Sequence, residues 1–206
     1  MIRYTAFGAA VLAMLGGVLM AQPTGQPTTV DNHPPASHPT VMKPATDWPK
    51  GSPEDVSSPE AVVAAYYQAT SGKPGEARDW TRFRSLFHPQ ARLIPARPTG
   101  DGGAGAFFLS PDDYVTQNEK YFQKSGMIDR EVAHRVEAFG NIAHVWSTYE
   151  SRRSPEDEKP YARGITSVQL LKDGDRWWIV SMFWDYERPH NEVPAKYLSA
   201  PADSKE

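Results

Sequence analysis

Gly164–Pro189 reads GITSVQLLKDGDRWWIVSMFWDYERP. Apolar and polar residues alternate on both sides of Lys172-Asp173-Gly174-Asp175. That is the pattern of two half-buried strands joined by a tight turn, and Asp-Gly is a strong hairpin signal. Pairing Lys172 with Asp175 places Leu170, Val168, Thr166, Gly164 and Ala162 on one face, opposite Trp177, Ile179, Ser181, Phe183 and Asp185. The other face carries Arg163, Gln169, Arg176, Trp178, Trp184 and Tyr186. The first set is expected to face the core, because a sheet with one covered side sorts its residues with period two.

A second hairpin lies upstream, around Phe139-Gly140-Asn141-Ile142. Pairing Phe139 with Ile142 puts Ala138, Val136, His134 and Val132 on one face, with Ala143, Val145, Ser147 and Tyr149 as their partners. Glu131, Arg135, Glu137, His144, Trp146 and Glu150 take the opposite face, which is mostly charged. Helices precede these strands. Ser57-Ser58-Pro59-Glu60 is a capped helix start, and Val62, Val63, Tyr66, Ala69 and Thr70 follow at helical spacing before Gly72. A second helix is expected from Asp79 to Phe87, with Trp80, Phe83, Leu86 and Phe87 buried and Pro89 ending it. Ala91–Arg97 reads as a short strand and Gly100–Gly105 as a flexible loop. Ser110-Pro111-Asp112-Asp113 caps a third helix that stops before Gly126. Three amphipathic helices followed by a curved antiparallel meander is an α+β architecture.

This order, with DWTRFRSLFHPQARL (Asp79–Leu93), FGNIAHVWSTYES (Phe139–Ser151) and the opening string, resembles the nuclear transport factor 2-like superfamily. Within it the chain is similar to the small bacterial proteins grouped with the polyketide cyclases. The resemblance covers Ser57–Pro189 and implies a cone in which a bent sheet wraps helices around a pocket. It does not imply one activity, since isomerases, dehydratases, cyclases, hydrolases and proteins without chemistry share the fold. Laid on the ketosteroid isomerases, Tyr66 takes the place of their oxyanion-hole tyrosine, and their general-base aspartate falls on Pro95. Proline offers no proton acceptor, which counts against isomerase activity.

The chain has 206 residues, 22 Lys and Arg against 25 Asp and Glu, a formal charge of −3 and no cysteine. No basic block points to nucleic acid, and disulfides, thiolate catalysis and cysteine metal sites are excluded. Residues 1–21 read as a cleavable signal peptide: Arg3, an uncharged run Phe7–Met20, then Ala21. The product is then expected in the periplasm or outside the cell. Gln22–Val56 holds eight of the nineteen prolines and few apolar residues, the composition of a disordered tether. Residues 57–189 form the domain and 190–206 a C-terminal tail.

With both registers, His134, Ser147, Tyr149 and Asp185 collect on the inward face at one end of the sheet. His134 and Asp185 are the candidate acid/base pair. Tyr66, His88, Ser147, Tyr149 and Phe183 are the candidate ligand contacts. Each also has a structural reading, as a paired core histidine, a strand-end carboxylate or packed aromatics. Trp178 and Trp184, large aromatics on the outer face, suggest a homodimer surface. No phosphate loop, nucleophile elbow or metal triad is present, so no cofactor is expected. Three functions fit: a binder of a small, mainly apolar or carbonyl-containing molecule; a cofactor-free lyase, hydratase or cyclase using the same pocket; and a dimeric interaction module.

Overall fold

A computed structural model describes residues 43–44 and 47–199. The expected signal segment, most of the tether and residues 200–206 lie outside the described residues.

Four helices, all capped by side chains, open or interrupt the strand sequence. α1 (Pro53–Val56) has Ser52 as its cap, with the Asp55 amide donating to the Ser52 hydroxyl. α2 (Pro59–Thr70) starts at Ser58, whose hydroxyl accepts from the Ala61 amide at 3.1 Å, and Pro59 sits where its missing N–H costs nothing. α3 (Trp80–Leu86) begins at Asp79, which accepts from the Arg82 amide at 2.8 Å. α4 (Pro111–Ser125) carries a full capping box between Ser110 and Asp113. Six strands follow from the remaining sequence: β1 (Phe87–Pro98), β2 (Ala104–Ala106), β3 (Ile128–Phe139), β4 (Ile142–Arg152), β5 (Ala162–Asp173) and β6 (Arg176–Tyr186). They form one curved, open sheet in the order β2-β1-β6-β5-β4-β3, antiparallel except for the β1–β6 pair. The helices cover one face, where Val62, Val63, Phe83, Leu86 and Phe87 meet Leu93, Val145, Val168 and Ile179, all without solvent exposure. Burying each large apolar side chain contributes about 1.5–3 kcal/mol.

The first strand is longer than the expected Ala91–Arg97. It starts directly at Phe87, so Pro89 lies inside it, where the β1–β6 register is interrupted between Phe87 and Arg92. Part of the expected Gly100–Gly105 loop forms the edge strand β2.

The registers decide which side chains enter the interior. The β3–β4 hairpin pairs Phe139 with Ile142 and His134 with Ser147, as expected. Between Glu131 and Ala133 the ladder slips at Val132, and Tyr149 now faces Glu131, with Ser151 facing Asp129. This β-bulge inserts one residue and flips every side chain beyond it. Glu131, expected outside, turns inward together with Asp129, and Val132 leaves the inner row. The β5–β6 turn also differs. Asp173 pairs with Arg176, so Gly174 and Asp175 are the central residues. Gly174 has φ +62°, and Asp175 has no positive φ, the combination of a type II′ turn with glycine first. Lys172 therefore faces Trp177 rather than Asp175. That change moves each partner by two positions and preserves the faces as far as Ile179. A second slip follows, between Ile179 and Ser181. Beyond it Met182, Trp184 and Tyr186 face inward opposite Val168, Thr166 and Gly164, while Ser181, Phe183 and Asp185 face outward.

Both ends of the described segment pack against the sheet. Trp48, in the stretch expected to be tether, donates to the Phe87 carbonyl at 3.0 Å, and Val56 is buried. Arg82 clamps Asp55 through two 2.7 Å hydrogen bonds. In the expected tail, a 3-10 turn at Ala195–Tyr197 lies on the outer face. Its Lys196 and Tyr197 carbonyls accept from Arg135 and Thr148, both at 2.7 Å, and Tyr197 tilts against Trp146. These segments are held because they bring aromatic rings and carbonyls to apolar and donor surfaces of the sheet.

The Arg82 guanidinium holds the Asp55 carboxyl below the usual carboxylate range, so the ion pair stabilises the fold above about pH 4 and is lost as the pH falls through the lowered value. Asp55→Ala is expected to lower stability by about 1–2 kcal/mol at pH 7, where the half-buried clamp is intact, and by less in acid. Urea unfolding at the two pH values checks this. An unchanged midpoint at pH 7 would show that α1 lies outside the cooperative unit.

Candidate functional site

The inner ends of β3, β4, β5 and β6, with the end of β1 and with α2 and α4 above them, line a half-open cavity of about 250 Å³. Seven of the chain's nine tyrosines line it: Tyr66, Tyr67, Tyr114, Tyr121, Tyr149, Tyr161 and Tyr186. Asn118, Ser151 and Thr166 add polar groups, Phe122, Met127 and Trp184 apolar ones. Two side chains in the wall carry formal charge, Asp129 and Arg97.

Asp129 is placed by the first bulge. Its amide donates to the Ser71 hydroxyl at 2.9 Å, which ties the start of β3 to the end of α2. The Ser151 hydroxyl donates to its Oδ1 at 2.6 Å across the β3–β4 pair. The residue as a whole is half-buried because it borders the cavity, but its carboxyl is screened from water. Burial pushes the pKa up to about 6, and the Ser151 hydrogen bond pulls it down only in part. Burial likewise raises the hydroxyls of Tyr66, Tyr67, Tyr114 and Tyr149 far above their usual range, so they stay protonated donors. The Tyr66 and Tyr114 hydroxyls are hydrogen-bonding neighbours.

Tyr149 owes its position to a missing side chain. It faces Gly164 on β5, and a Cβ there would lie 2.8 Å from the Tyr149 hydroxyl and 2.3 Å from the Asp185 carbonyl. At the rim, the Arg97 guanidinium stacks over Tyr186 at 5.3 Å and donates to the Ala96 carbonyl. Arg153 stacks over Tyr161 at 4.3 Å and donates to the Tyr121 hydroxyl, holding two rim tyrosines together.

Of the residues proposed from sequence, Tyr66 and Tyr149 line this cavity, and the others do not. His134 is on edge strand β3, where its Nδ1 lies 2.9 Å from Glu131 Oε2, beside a separate surface hollow bordered by Glu60. Asp185 is on the outer face of β6, paired with Arg188 at 2.7 Å. The two sit in strands separated by β4 and β5, on the order of 14 Å apart at ordinary strand spacing, and on opposite faces. They cannot form an acid/base pair, because the bulge at Val180 reverses Asp185. The partner of His134 is Glu131, which the bulge at Val132 brings inward. Ser147 is fully buried, donating to Glu131 at 2.5 Å and bonded to Tyr67 at 2.9 Å. His88 lies edge-on to Trp178 at 6.1 Å, outside the cavity. Phe183 is on the outer face, 49% exposed. The outer-surface aromatics also change place. Trp184 turns inward against Tyr114, and Trp178 is buried under the Arg176 guanidinium, 3.2 Å from its ring. Neither is available to a second copy as an outer-face residue.

Sequence reading missed Asp129 and Arg97. Strict alternation counts Asp129 among outward residues, and one inserted residue reverses it. The usable signal was the number of tyrosines on the helix faces and strand ends, far more than a plain apolar core requires.

No family model and no curated protein matches this chain. Among solved structures it is similar to a nuclear transport factor 2-like protein of unknown function from Pseudomonas putida, with 14% identity and a TM-score of 0.48 over 66% of this chain and 89% of that one. A protein of unknown function with a cystatin-like fold from Nostoc punctiforme aligns with 11% identity and a TM-score of 0.47 over 62% and 87%. A nuclear transport factor 2-like protein of unknown function from Silicibacter pomeroyi shows 18% identity and a TM-score of 0.43 over 62% and 92%. The architecture is α+β, a curved open sheet covered by helices on one face. Its one-sided helices and curved sheet are those implied by the resemblance. In this cone the carboxyl comes from β3, while Pro95 is a buried residue of β1, four strands away in the sheet and outside the cavity lining.

Because the folded pKa of Asp129 is raised, the folded state holds its proton more tightly than the unfolded chain between about pH 4 and pH 6. Its ionisation therefore removes stability as the pH rises through that window. Asp129→Asn lacks this loss. Its stability relative to the parent should rise by roughly 2–3 kcal/mol between pH 4 and pH 7. Paired denaturation curves read the difference; a pH-independent gap would place the carboxyl in water.

Proposed function

We propose that the domain holds a small, flat, mainly apolar molecule in the tyrosine-lined cavity, with a carbonyl or hydroxyl oxygen of the ligand at Asp129. The observation that carries this reading is the cavity itself: a space of about 250 Å³ walled by aromatic rings, with one buried carboxyl inside. Rings supply apolar area and stacking, and hydroxyls fixed in the protonated state supply directed donors. A plain core would fill this volume with aliphatic side chains and would not leave a carboxyl there. We also propose export of the domain, on the apolar run Phe7–Met20 and the small residue Ala21.

A second reading, acid/base catalysis, is favoured by the pKa of about 6. A carboxyl balanced between its two forms near neutrality can take a proton from carbon or oxygen and return it. On a ketone, Asp129 would remove an α-proton, the C–H electron pair would pass to the carbonyl as an enolate, and tyrosine hydroxyls would donate to its oxygen. Return of the proton to carbon restores the carboxylate and the ketone.

Thermal shift with 2-naphthol and 2-tetralone tests both readings. Ligand binding to the folded state should raise the melting point of the parent, and Ala162→Trp, which fills the rim, should abolish the rise. Deuterium should enter bound 2-tetralone from D2O with the parent and not with Asp129→Asn. A melting-point rise that survives Ala162→Trp moves the ligand out of the cavity. Binding without exchange leaves a carrier and removes the catalyst.

A further inference from the structure

Arg97 is the one arginine among the described residues that line the cavity, and six arginines elsewhere in the domain differ from it in their partners. Arg82, Arg84, Arg130, Arg152, Arg163 and Arg188 each pair with a carboxylate, and Arg153 donates to Tyr121. Among the described residues Arg97 has no carboxylate partner. Its contacts are the Tyr186 ring and the carbonyl of its neighbour Ala96. A guanidinium has five donors in a planar fork, so most of its hydrogen-bonding capacity remains open. Contact with the Tyr186 ring and attachment to the end of β1 place it at the cavity rim. It is near enough to Tyr149 to favour ionisation of that hydroxyl. The cavity thus has a cationic rim and, at Asp129, an acid that is half neutral near pH 6. No second anion shares the wall.

We propose that the ligand is a carboxylic acid: a flat ring system with a hydroxyl or carbonyl at one end, toward Asp129, and a carboxylate at the other, held by Arg97. This rests on the cavity reading above and narrows it. The two functions are matched to two different groups. A carboxylate suits the rim because a planar guanidinium presents parallel N–H groups to both oxygens. It does not suit the Asp129 end, where a second carboxylate would face an ionising one. Tyrosine rings between the two ends take the ring of the ligand.

The test compares 6-hydroxy-2-naphthoate, its methyl ester and 2-naphthol by isothermal titration calorimetry at pH 7 and low salt. The parent should bind the acid at least tenfold more tightly than the ester or 2-naphthol. In Arg97→Met, which keeps a chain long enough to cover Tyr186, that ratio should fall to about one; Arg97→Lys should restore part of it. Far-UV circular dichroism and melting point establish that the variants are folded. A parent with no preference for the acid, or a preference unchanged in Arg97→Met, overturns the carboxylate assignment while leaving the cavity reading in place. Binding of none of the three probes overturns both.

Discussion

Two inserted residues, Val132 in β3 and Val180 in β6, govern the interior of this cone. A strand has a side-chain period of two, so one extra residue exchanges its inner and outer rows from that point onward. Both slips affect the same end of the sheet, the end under α4. On β3 the slip brings Asp129 and Glu131 inside; on β6 it brings in Trp184 and Tyr186 and expels Phe183 and Asp185. Without them the cavity would be walled by Val132, Phe183 and Asp185. Its carboxyl would come from β6, and the ring that now stacks under Arg97 would be outside.

The electrostatics of the cavity follow from that arrangement. Burial raises the pKa of a carboxyl unless cations or several donors offset it, and Asp129 receives one strong donation, from Ser151. The same low-dielectric surroundings keep the tyrosine hydroxyls protonated. Glu131, two residues along, has a different fate. It accepts from Ser147 and pairs with His134 at the sheet edge, a polar chain that continues through Tyr67 to the cavity wall. Two inward carboxyls on one strand are thus separated in role by what their neighbours donate.

The outer face is not a bare sheet. The Ala195–Tyr197 turn lies on it, over Arg135, Thr148 and Trp146, and Trp48 reaches the edge of the sheet at the Phe87 carbonyl. Composition placed Trp48 in a proline-rich tether and Tyr197 in a tail. Prolines and sparse apolar residues do predict weak local structure, but a single tryptophan or tyrosine can dock where a partner surface exists. That surface belongs to residues far away in the chain, and local composition contains no trace of it.

Local signals decided the elements. Ser58, Asp79 and Ser110 cap helices because each places an acceptor beside unpaired amides, and the β4 and β5 rows alternate as their sequences do, from Ala143 to Ser151 and from Ala162 to Leu170. The hairpin at Phe139 and Ile142 follows from glycine at the turn. These features depend on residues within a few positions of one another, so the sequence alone was enough for the α+β architecture and for half of the inner surface. The tertiary structure alone decided the bulges, and through them the identity of the buried carboxyl. A bulge costs little locally and leaves no distinctive residue behind; here the extra residue is a valine, as suited to either row. Its placement is selected by the packing of a curved sheet on helices, which no stretch of a dozen residues contains.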